Sequence, residues 1–205
     1  TPTLNTVSLK GDKVSQAYFD GVEMNFRIGR TSFSLKQEET TLKGPHNLIN
    51  TMAAVSAACF VGIDVALIKR GLKTFKNAPH RLESVAKINN VEFVNDSKAT
   101  NVDSVIYALG SYSNSLIWIA GGVDKGNDYD LIREQVKEKV KALICLGVDN
   151  NKLKDYFSGI VPTILETQSV KELVRMALKN ADEGDVVLLS PACASFDLFK
   201  NYIDR

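Results

Sequence analysis

Hydrophobic and polar residues partly alternate with a period of two in the first part of the chain. Residues 14 to 19 (VSQAYF) and 22 to 28 (VEMNFRI) show this pattern, which is typical of strands with one buried face. The dipeptide Asp20-Gly21 lies between them and is a strong hairpin signal. The pattern therefore predicts a hairpin, followed by a third strand near residues 31 to 36 (TSFSLK).

The period changes to that of a helix after the segment KGPHN. Apolar side chains then recur at i, i+4, i+7 and i+11, which places on one helix face Leu48, Met52, Val55 and Cys59. Gly62 is predicted to end this helix, and Asp64 is a candidate N-cap for a second helix in the segment DVALIKRGLKTF.

A different rhythm begins after residues 76 to 81, where Pro79 and the lack of periodicity predict a linker. Strand-like runs then alternate with helical patterns. The strands are predicted at residues 83 to 88, 91 to 95, 115 to 120, 141 to 146 and 185 to 189, and the helices near residues 101 to 110, 128 to 139, 149 to 157 and 169 to 180. Several of these strands are almost continuously apolar, as expected for strands buried on both faces of a parallel sheet.

This alternation predicts an α/β fold. Residues 79 to 205 are expected to form an open, mostly parallel, Rossmann-like sheet with helices on both faces. Residues 1 to 78 are expected to form a separate, partial α/β domain before it.

Charge and composition narrow the classes of function. The 25 Lys and Arg residues are balanced by 24 Asp and Glu residues, whereas a general affinity for nucleic acid or an anionic membrane requires a basic excess. The longest apolar stretch, MAAVSAACFVGI, is shorter than the ~20 residues of a membrane span. We therefore expect neither nucleic acid nor a membrane as partner. The three widely spaced cysteines are expected to be reduced thiols in a cytoplasmic protein.

Three polar loops are predicted at one edge of the sheet. NDSKATN, AGGVDKGND and SPACASFD each follow a predicted strand, and ligands of parallel α/β sheets bind beyond the carboxyl ends of the strands. Taken singly, each loop has a structural interpretation as a tight turn or as a source of helix caps, the candidate caps being Ser97, Thr100, Asn101 and Ser195. Together, the loops bring Lys98 and Lys125 to a rim of hydroxyl groups and helix N-termini, which attract anions. The sequence therefore predicts a pocket for a carboxylate or phosphate ligand.

No complete nucleotide-binding motif is found in the glycine-rich segments. Gly121 and Gly126 match the start of a P-loop, but Asn127 and Asp128 replace the Lys and the Ser or Thr that a P-loop requires. The glycine motifs therefore do not predict a triphosphate site.

The histidines and two asparagines have weaker signals. His46 and His80 lack the spacing of metal ligands, so capping or packing is the favoured interpretation of both, and no metal site is predicted. Asn47 and Asn50 share the polar flank of the first predicted helix. Such a flank is usually solvated, but two neighbouring amides are also able to read the edge of a base.

Five motifs, taken in order, are similar to those of a known family. They are GPHNLIN at residues 44 to 50, HRLE at 80 to 83, NDSKATN at 95 to 101, GGVDKG at 121 to 126 and LLSPACASFDLFKNYIDR at 188 to 205. Together they resemble the carboxyl-terminal half of a Mur ligase. The forms DSKATN and SPACASFD resemble the branch of that family that adds D-glutamate to UDP-N-acetylmuramoyl-L-alanine in peptidoglycan biosynthesis. The resemblance covers residues 40 to 205, and residues 1 to 40 match only loosely.

The resemblance implies an ATP-dependent reaction that uses Mg²⁺. ATP phosphorylates the terminal carboxylate of the substrate, and the amine of D-glutamate attacks the acyl phosphate to form an amide. Such chemistry depends mainly on positioning and charge neutralisation. Residues 1 to 78 would then be the end of the central ATPase domain, and residues 79 to 205 the amino-acid-binding domain.

The resemblance also implies a role for each matching residue. Asn47 and Asn50 would contact adenine and Asp96 the ribose. Arg81 would meet phosphate as a catalytic residue, and Lys98, also catalytic, would lie close to the reacting centre. The residues implied for D-glutamate binding are Thr100, Lys125, Ser195, Phe196 and Tyr202.

The sequence departs from the family in its first part. The family's P-loop, its Mg²⁺-binding Glu and His and its carbamylated Lys are not found in these 205 residues. We therefore expect a fragment that is inactive by itself. A monomer is also expected, although the missing motifs do not bear on the oligomeric state. Two alternatives stay open: a free-standing module that binds a carboxylate or nucleotide, and a purely structural or interaction role for the α/β domain.

Overall fold

The structure, a computed structural model, describes residues 6 to 11, 14 to 42 and 44 to 205, without the side chains of Pro45 and His46. It divides the chain into two compact units, Thr1–Asn77 and Ala78–Arg205. The predicted role of the His46 side chain lies outside what the structure describes.

The first unit contains a four-stranded sheet. Its strands are β1 (Val7–Ser8), β2 (Ala17–Phe19), β3 (Met24–Ile28) and β4 (Thr31–Leu35), and a short 3-10 helix (Gln37–Glu39) follows. β1 runs parallel to β2, and β2, β3 and β4 form an antiparallel meander. The predicted hairpin is confirmed: the amide of Asp20 donates to the carbonyl of Glu23 at 3.2 Å, and the Asp20 carboxylate accepts from the amides of Val22 and Glu23. The strand predicted at residues 14 to 19 corresponds to β2, which is shorter because residues 14 to 16 lie in a turn.

Two helices complete this unit, α1 (Pro45–Phe60) and α2 (Val65–Thr74). The predicted apolar face of α1 is confirmed, because Leu48, Met52 and Val55 are buried in one core cluster with the inward side chains of β3. Asp64 caps α2 as predicted, its carboxylate accepting from the amide of Ala66 at 2.8 Å.

The second unit contains a six-stranded sheet and four helices. The strands are β5 (Glu83–Ile88), β6 (Val91–Asn95), β7 (Leu116–Ala120), β8 (Val140–Leu146), β9 (Thr163–Thr167) and β10 (Val186–Leu189); the helices are α3 (Val102–Gly110), α4 (Arg133–Lys139), α5 (Asn151–Phe157) and α6 (Val170–Asn180). The strand order is β5-β6-β10-β7-β8-β9. All neighbours are parallel except the edge pair β5 and β6, so the predicted α/β class and mostly parallel sheet are confirmed.

Helices cover both faces of this sheet, as predicted. Apolar residues of α3, α4 and α5 share one core cluster with Trp118 of β7, whereas α6 packs into a second cluster through Leu173 and Ala177. Trp118 is fully buried, and its indole Nε1 donates to the carbonyl of Ser190 at 2.8 Å. The buried Trp118 side chain is therefore tied to the residue that directly follows β10.

The second unit differs from the sequence expectations in three respects. The sequence pattern did not predict β9, whose residues are mostly half-buried and pair only with β8 at the edge of the sheet. The segment predicted as a helix from residue 128 begins as a 3-10 helix (Tyr129–Ile132) before α4. Ser195 caps no helix, because the described residues 196 to 205 form successive turns.

Candidate functional site

Three polar loops lie together at the carboxyl end of the second sheet. We call residues 95 to 101, 120 to 128 and 190 to 197 the first, second and third loop; they follow β6, β7 and β10. Because β10 lies between β6 and β7 and runs parallel to both, the three strands end side by side. The order of the strands reverses here, which is where parallel α/β sheets bind ligands. The predicted meeting of the loops is confirmed.

Backbone hydrogen bonds fasten the third loop to the other two. The amide of Ala192 donates to the carbonyl of Ala99 in the first loop at 3.0 Å. Val123 of the second loop and Ala194 form an isolated antiparallel bridge, with N–H···O distances of 2.8 and 3.1 Å. The third loop therefore fixes the spacing between the first and second loops.

Two consecutive glycines permit this close approach. Gly121 and Gly122 have φ values of 129° and 118°, which L side chains rarely adopt. A Cβ atom at Gly122 would lie 2.1 Å from the carbonyl oxygen of Ala194, and one at Gly121 would lie 2.5 Å from that of Leu146. Glycine is therefore favoured at both positions by the positive φ values and by the close approach of neighbouring backbone.

Arg205 contacts all three loops. Its Nε donates to the hydroxyl of Ser97 at 3.0 Å and its Nη2 to the Ser97 carbonyl at 3.0 Å. The guanidinium also donates to the carbonyls of Cys193 at 3.3 Å and Gly121 at 3.4 Å. Burial lowers the pKa of Arg205 to about 10. Sequence reasoning gave this residue no role, because its partners are mostly backbone carbonyls far from it in the sequence.

Asp96 lies beneath the first loop and is only 3% exposed. Its Oδ1 accepts from the amide of Leu82 at 3.2 Å and its Oδ2 from the hydroxyl of Ser190 at 2.9 Å. Burial raises the pKa of Asp96 to about 6, although the hydrogen bonds from Ser190 and Leu82 and the charge of Arg81 act in the opposite direction. Both oxygens are thus engaged within the protein, and the ribose role stays a prediction.

The HRLE segment approaches the first loop in a strained backbone conformation. His80 and Leu82 have φ values of 62° and 45°, which are unusual for residues other than glycine and occur often at functional sites. The carbonyl of His80 accepts from the amide of Lys98 at 3.1 Å. In the His80 side chain, Nδ1 lies 3.0 Å from Nδ2 of Asn95, and the centroid of the ring lies 6.1 Å from the centroid of the Tyr202 ring. His80 therefore packs at the site, which agrees with the packing interpretation.

The residues predicted to bind D-glutamate differ in exposure. Ser195 is 2% exposed, Thr100 is half-buried and Lys125 is exposed. Lys98 Nζ lies 5.9 Å from the centroid of the half-buried Tyr202 ring. Phe196 is 71% exposed, so it encloses no pocket in this structure.

The residues predicted to contact ATP are divided between the two units. Arg81 is exposed and lies at the start of the second unit beside Asp96. Asn47, half-buried, and Asn50, exposed, lie on α1 of the first unit.

The described residues contain neither a membrane-spanning helix nor a cluster of metal-binding side chains. None of their helices is both long and apolar enough to span a bilayer. Among the same residues, no three His, Cys, Asp or Glu side chains are grouped closely enough to hold a metal ion. All three cysteines are free thiols, with Cys145 and Cys193 buried and Cys59 half-buried, as predicted.

Comparisons with known proteins identify the family. The family model described as "Mur ligase, glutamate ligase domain" matches residues 80–193. The chain is 51% identical to the UDP-N-acetylmuramoylalanine--D-glutamate ligase of Cytophaga hutchinsonii over 200 residues. This alignment covers 97% of the chain and 44% of that relative. The ligase of the same name from Christiangramia forsetii is 50% identical over 189 residues, 92% of the chain and 42% of the relative. The chain thus spans less than half the length of these curated relatives.

A solved structure shows the same fold. MurF from Acinetobacter baumannii superimposes with a TM-score of 0.66 over 86% of this chain and 42% of that protein, at 16% sequence identity. The family model covers more than half of the chain and includes the first and second loops and the start of the third. The chain belongs to the Mur ligase family.

Proposed function

We propose that these 205 residues supply the amino-acid side of an ATP-dependent ligase that joins D-glutamate to UDP-N-acetylmuramoyl-L-alanine in peptidoglycan biosynthesis. One observation carries the proposal: the three motif loops meet at the reversal point of the sheet, in a chain 51% identical to a ligase of that name. The proposal assigns residues 79 to 205 to the amino-acid-binding domain and residues 1 to 78 to the end of the ATPase domain.

The amino acid brings two carboxylates, and each needs positive or hydrogen-bonding partners. We assign these roles to Lys125 of the second loop, Thr100 of the first and Ser195 of the third, with Phe196 and Tyr202 as walls. The backbone bonds between the loops support this assignment, because donors on rigidly spaced loops bind a dicarboxylate with less loss of conformational freedom.

Two of the four residues assigned to the nucleotide, Asn50 and Arg81, are exposed. When bound, ATP with Mg²⁺ supplies the phosphoryl group that activates the substrate carboxylate. The exposed amide of Asn50 and its neighbour Asn47 fit a role in reading the adenine edge, whereas the Asp96 carboxylate is engaged by Leu82 and Ser190. Arg81 and Lys98 are proposed to neutralise phosphate charge at the reacting centre. The proposal includes the expectation that these 205 residues alone show no turnover.

Binding of D-glutamate to the purified 205-residue chain tests the proposal. We expect saturable binding with a dissociation constant on the order of 1 mM, measured by isothermal titration and ligand-observed NMR, because only one side of the ligand is enclosed. L-Glutamate is the matched ligand control and should bind more weakly. Lys125→Ala should weaken D-glutamate binding, whereas Lys137→Ala, an exposed lysine on α4, should not. Equal affinity for both enantiomers, or no saturable binding, would refute the proposal.

A further inference from the structure

A charged hydrogen-bond network lies at the turn of the second loop and is centred on the Asp124 carboxylate. Oδ1 accepts from the amides of Gly126 at 2.7 Å and Asn127 at 3.0 Å, and from Nζ of Lys152 at 3.0 Å. Oδ2 accepts from the hydroxyl of Tyr129 at 2.7 Å. Four donors from three parts of the chain thus converge on one carboxylate: the loop itself, the 3-10 helix that follows it, and α5.

The network reaches the third loop through Asn127. Nδ2 of Asn127 donates to the carbonyl of Ala192 at 3.1 Å and lies 3.5 Å from Sγ of Cys193. Its backbone carbonyl accepts from Nζ of Lys152 at 2.8 Å. Lys152 therefore bonds both ends of the turn from Asp124 to Asn127, and the turn in between carries Lys125.

Protonation states match these roles. Burial raises the pKa of Asp124, but the bonds from Tyr129, Lys152 and the two amides outweigh it and bring the pKa to about 2. The carboxylate is therefore a permanent acceptor at neutral pH. Burial also raises the pKa of Tyr129, so its hydroxyl remains a donor. The Tyr129 ring is held edge-on against Phe157, with a centroid distance of 5.6 Å.

A turn of this kind does not by itself need the two distant side chains. An aspartate that accepts from the amides two and three residues after it, as Asp124 does from Gly126 and Asn127, already stabilises the turn locally. Tyr129 and Lys152 add bonds that fix the orientation of the whole turn relative to α5 and the third loop. Their effect is therefore on the position of Lys125.

We propose that Asp124, Tyr129 and Lys152 are positioning residues, which hold the second loop so that Lys125 faces an acidic amino acid beside Ser195. This inference rests on the proposed function, because it assumes that Lys125 contacts the ligand. It assigns a role to residues on the 3-10 helix and on α5, outside the three loops.

Two substitutions each remove one distant donor from the network without removing buried volume. Tyr129→Phe deletes one hydroxyl and keeps the buried ring, and Lys152→Met deletes the ammonium group and keeps the stem. Each should weaken D-glutamate binding by up to about tenfold, because affinity falls only by the part of the lost hydrogen-bond energy that is then needed to order Lys125 on binding. Lys152→Arg, which keeps charge and donors, should restore most of the affinity.

The neighbouring side chains provide matched controls. Tyr156→Phe removes a hydroxyl that donates to Asp130, and Lys154→Met removes an ammonium group that pairs with Glu166 at 2.7 Å. Both lie on α5, outside the network, and should leave D-glutamate affinity unchanged. The unfolding midpoint of every variant, followed by Trp118 fluorescence, identifies any loss of affinity that arises from general destabilisation.

Amide exchange measured on the ligand-free chain separates this inference from the proposed function. Exchange at Gly126 and Asn127 should become at least several-fold faster in Tyr129→Phe and Lys152→Met than in the controls. If the parent chain does not bind D-glutamate, the proposed function fails, and this exchange result alone decides whether the network holds the loop. If affinity and exchange in both variants equal those of the controls, the inference is overturned.

Discussion

The Asp96 carboxyl group couples the stability of the second unit to pH, and Asp96→Asn should remove that coupling. Asparagine has the same shape and no charge. Its Oδ1 is able to accept from the amide of Leu82, and its amide is able to donate to Ser190, whose hydroxyl then acts as the acceptor. The substitution therefore changes the charge and retains the packing and both contacts.

The sign of the effect follows from the direction of the pKa change. In the folded state burial raises the pKa of Asp96 from 3.8 to about 6, so the folded chain keeps a proton that the unfolded chain has already released. The free energy of unfolding gained from this proton is fully present below pH 3.8 and is lost as pH rises through about 6. The gap between the two pKa values corresponds to about 3 kcal/mol.

Urea unfolding followed by tryptophan fluorescence measures this effect on the correct unit. Trp118 is the only tryptophan in the sequence and is fully buried in the second unit. The free energy of unfolding of Asp96→Asn minus that of the parent should increase by about 2.5 kcal/mol between about pH 4 and about pH 7.5, because a small part of the effect is already lost at pH 4. Taking the difference cancels titrating groups that both proteins share.

Asp155→Asn, which removes a carboxylate at an exposed position on α5, is the matched control. A difference between Asp96→Asn and the parent that stays constant over this range would refute the reasoning. So would a carboxyl carbon titration, observed by NMR, that places the Asp96 midpoint near its ordinary value.

Three further predictions, tested by four substitutions, concern the contacts around the loops. Gly122→Ala should destabilise the second unit by more than about 2 kcal/mol, because the new Cβ would lie 2.1 Å from the carbonyl oxygen of Ala194. Gly126→Ala is the control, since φ is 88° there but no atom lies within 4 Å, and it should lower the free energy of unfolding by less. An equal loss of stability in the two variants would contradict the steric explanation. Arg205→Ala should lower the free energy of unfolding of the second unit by about 1–3 kcal/mol and speed amide exchange in the loops, because it removes the donor to three backbone carbonyls. Unchanged amide exchange would argue against a role of Arg205 in joining the loops. Asn101→Ala should cost about 1 kcal/mol in urea unfolding through loss of the α3 cap, with no effect on the second loop.

The order of strands and helices in the second unit was predictable because most of its strands are buried and are therefore continuous runs of apolar residues in the sequence. The segment LIWIA is buried at all five positions, and it reads as a continuous apolar run. β9 leaves a weaker trace: in TILET no residue is fully buried, and the strand pairs on one side only. An edge strand with half-buried residues has neither a continuous run nor a clear alternation, so the pattern did not predict it.

The loops of the candidate site were predictable, but the bonds within them were not. Their composition of glycine, hydroxyl and charge marks them in the sequence. The bond between Ser190 and Asp96 joins residues 94 positions apart, and that between Arg205 and Ser97 joins residues 108 apart. No local pattern records such pairs, so the engagement of the Asp96 carboxylate and the role of Arg205 become visible only in the fold.

The position of β10 explains why the site depends on the end of the sequence. β6 and β7 are not neighbours in the sheet, and β10 is inserted between them and pairs with both. The third loop therefore reaches the first loop through Ala192 and the second through Ala194, and it supplies the contacts that join them. Insertion of β10 between β6 and β7 therefore completes the sheet and, in the same step, brings together the three loops of the candidate site.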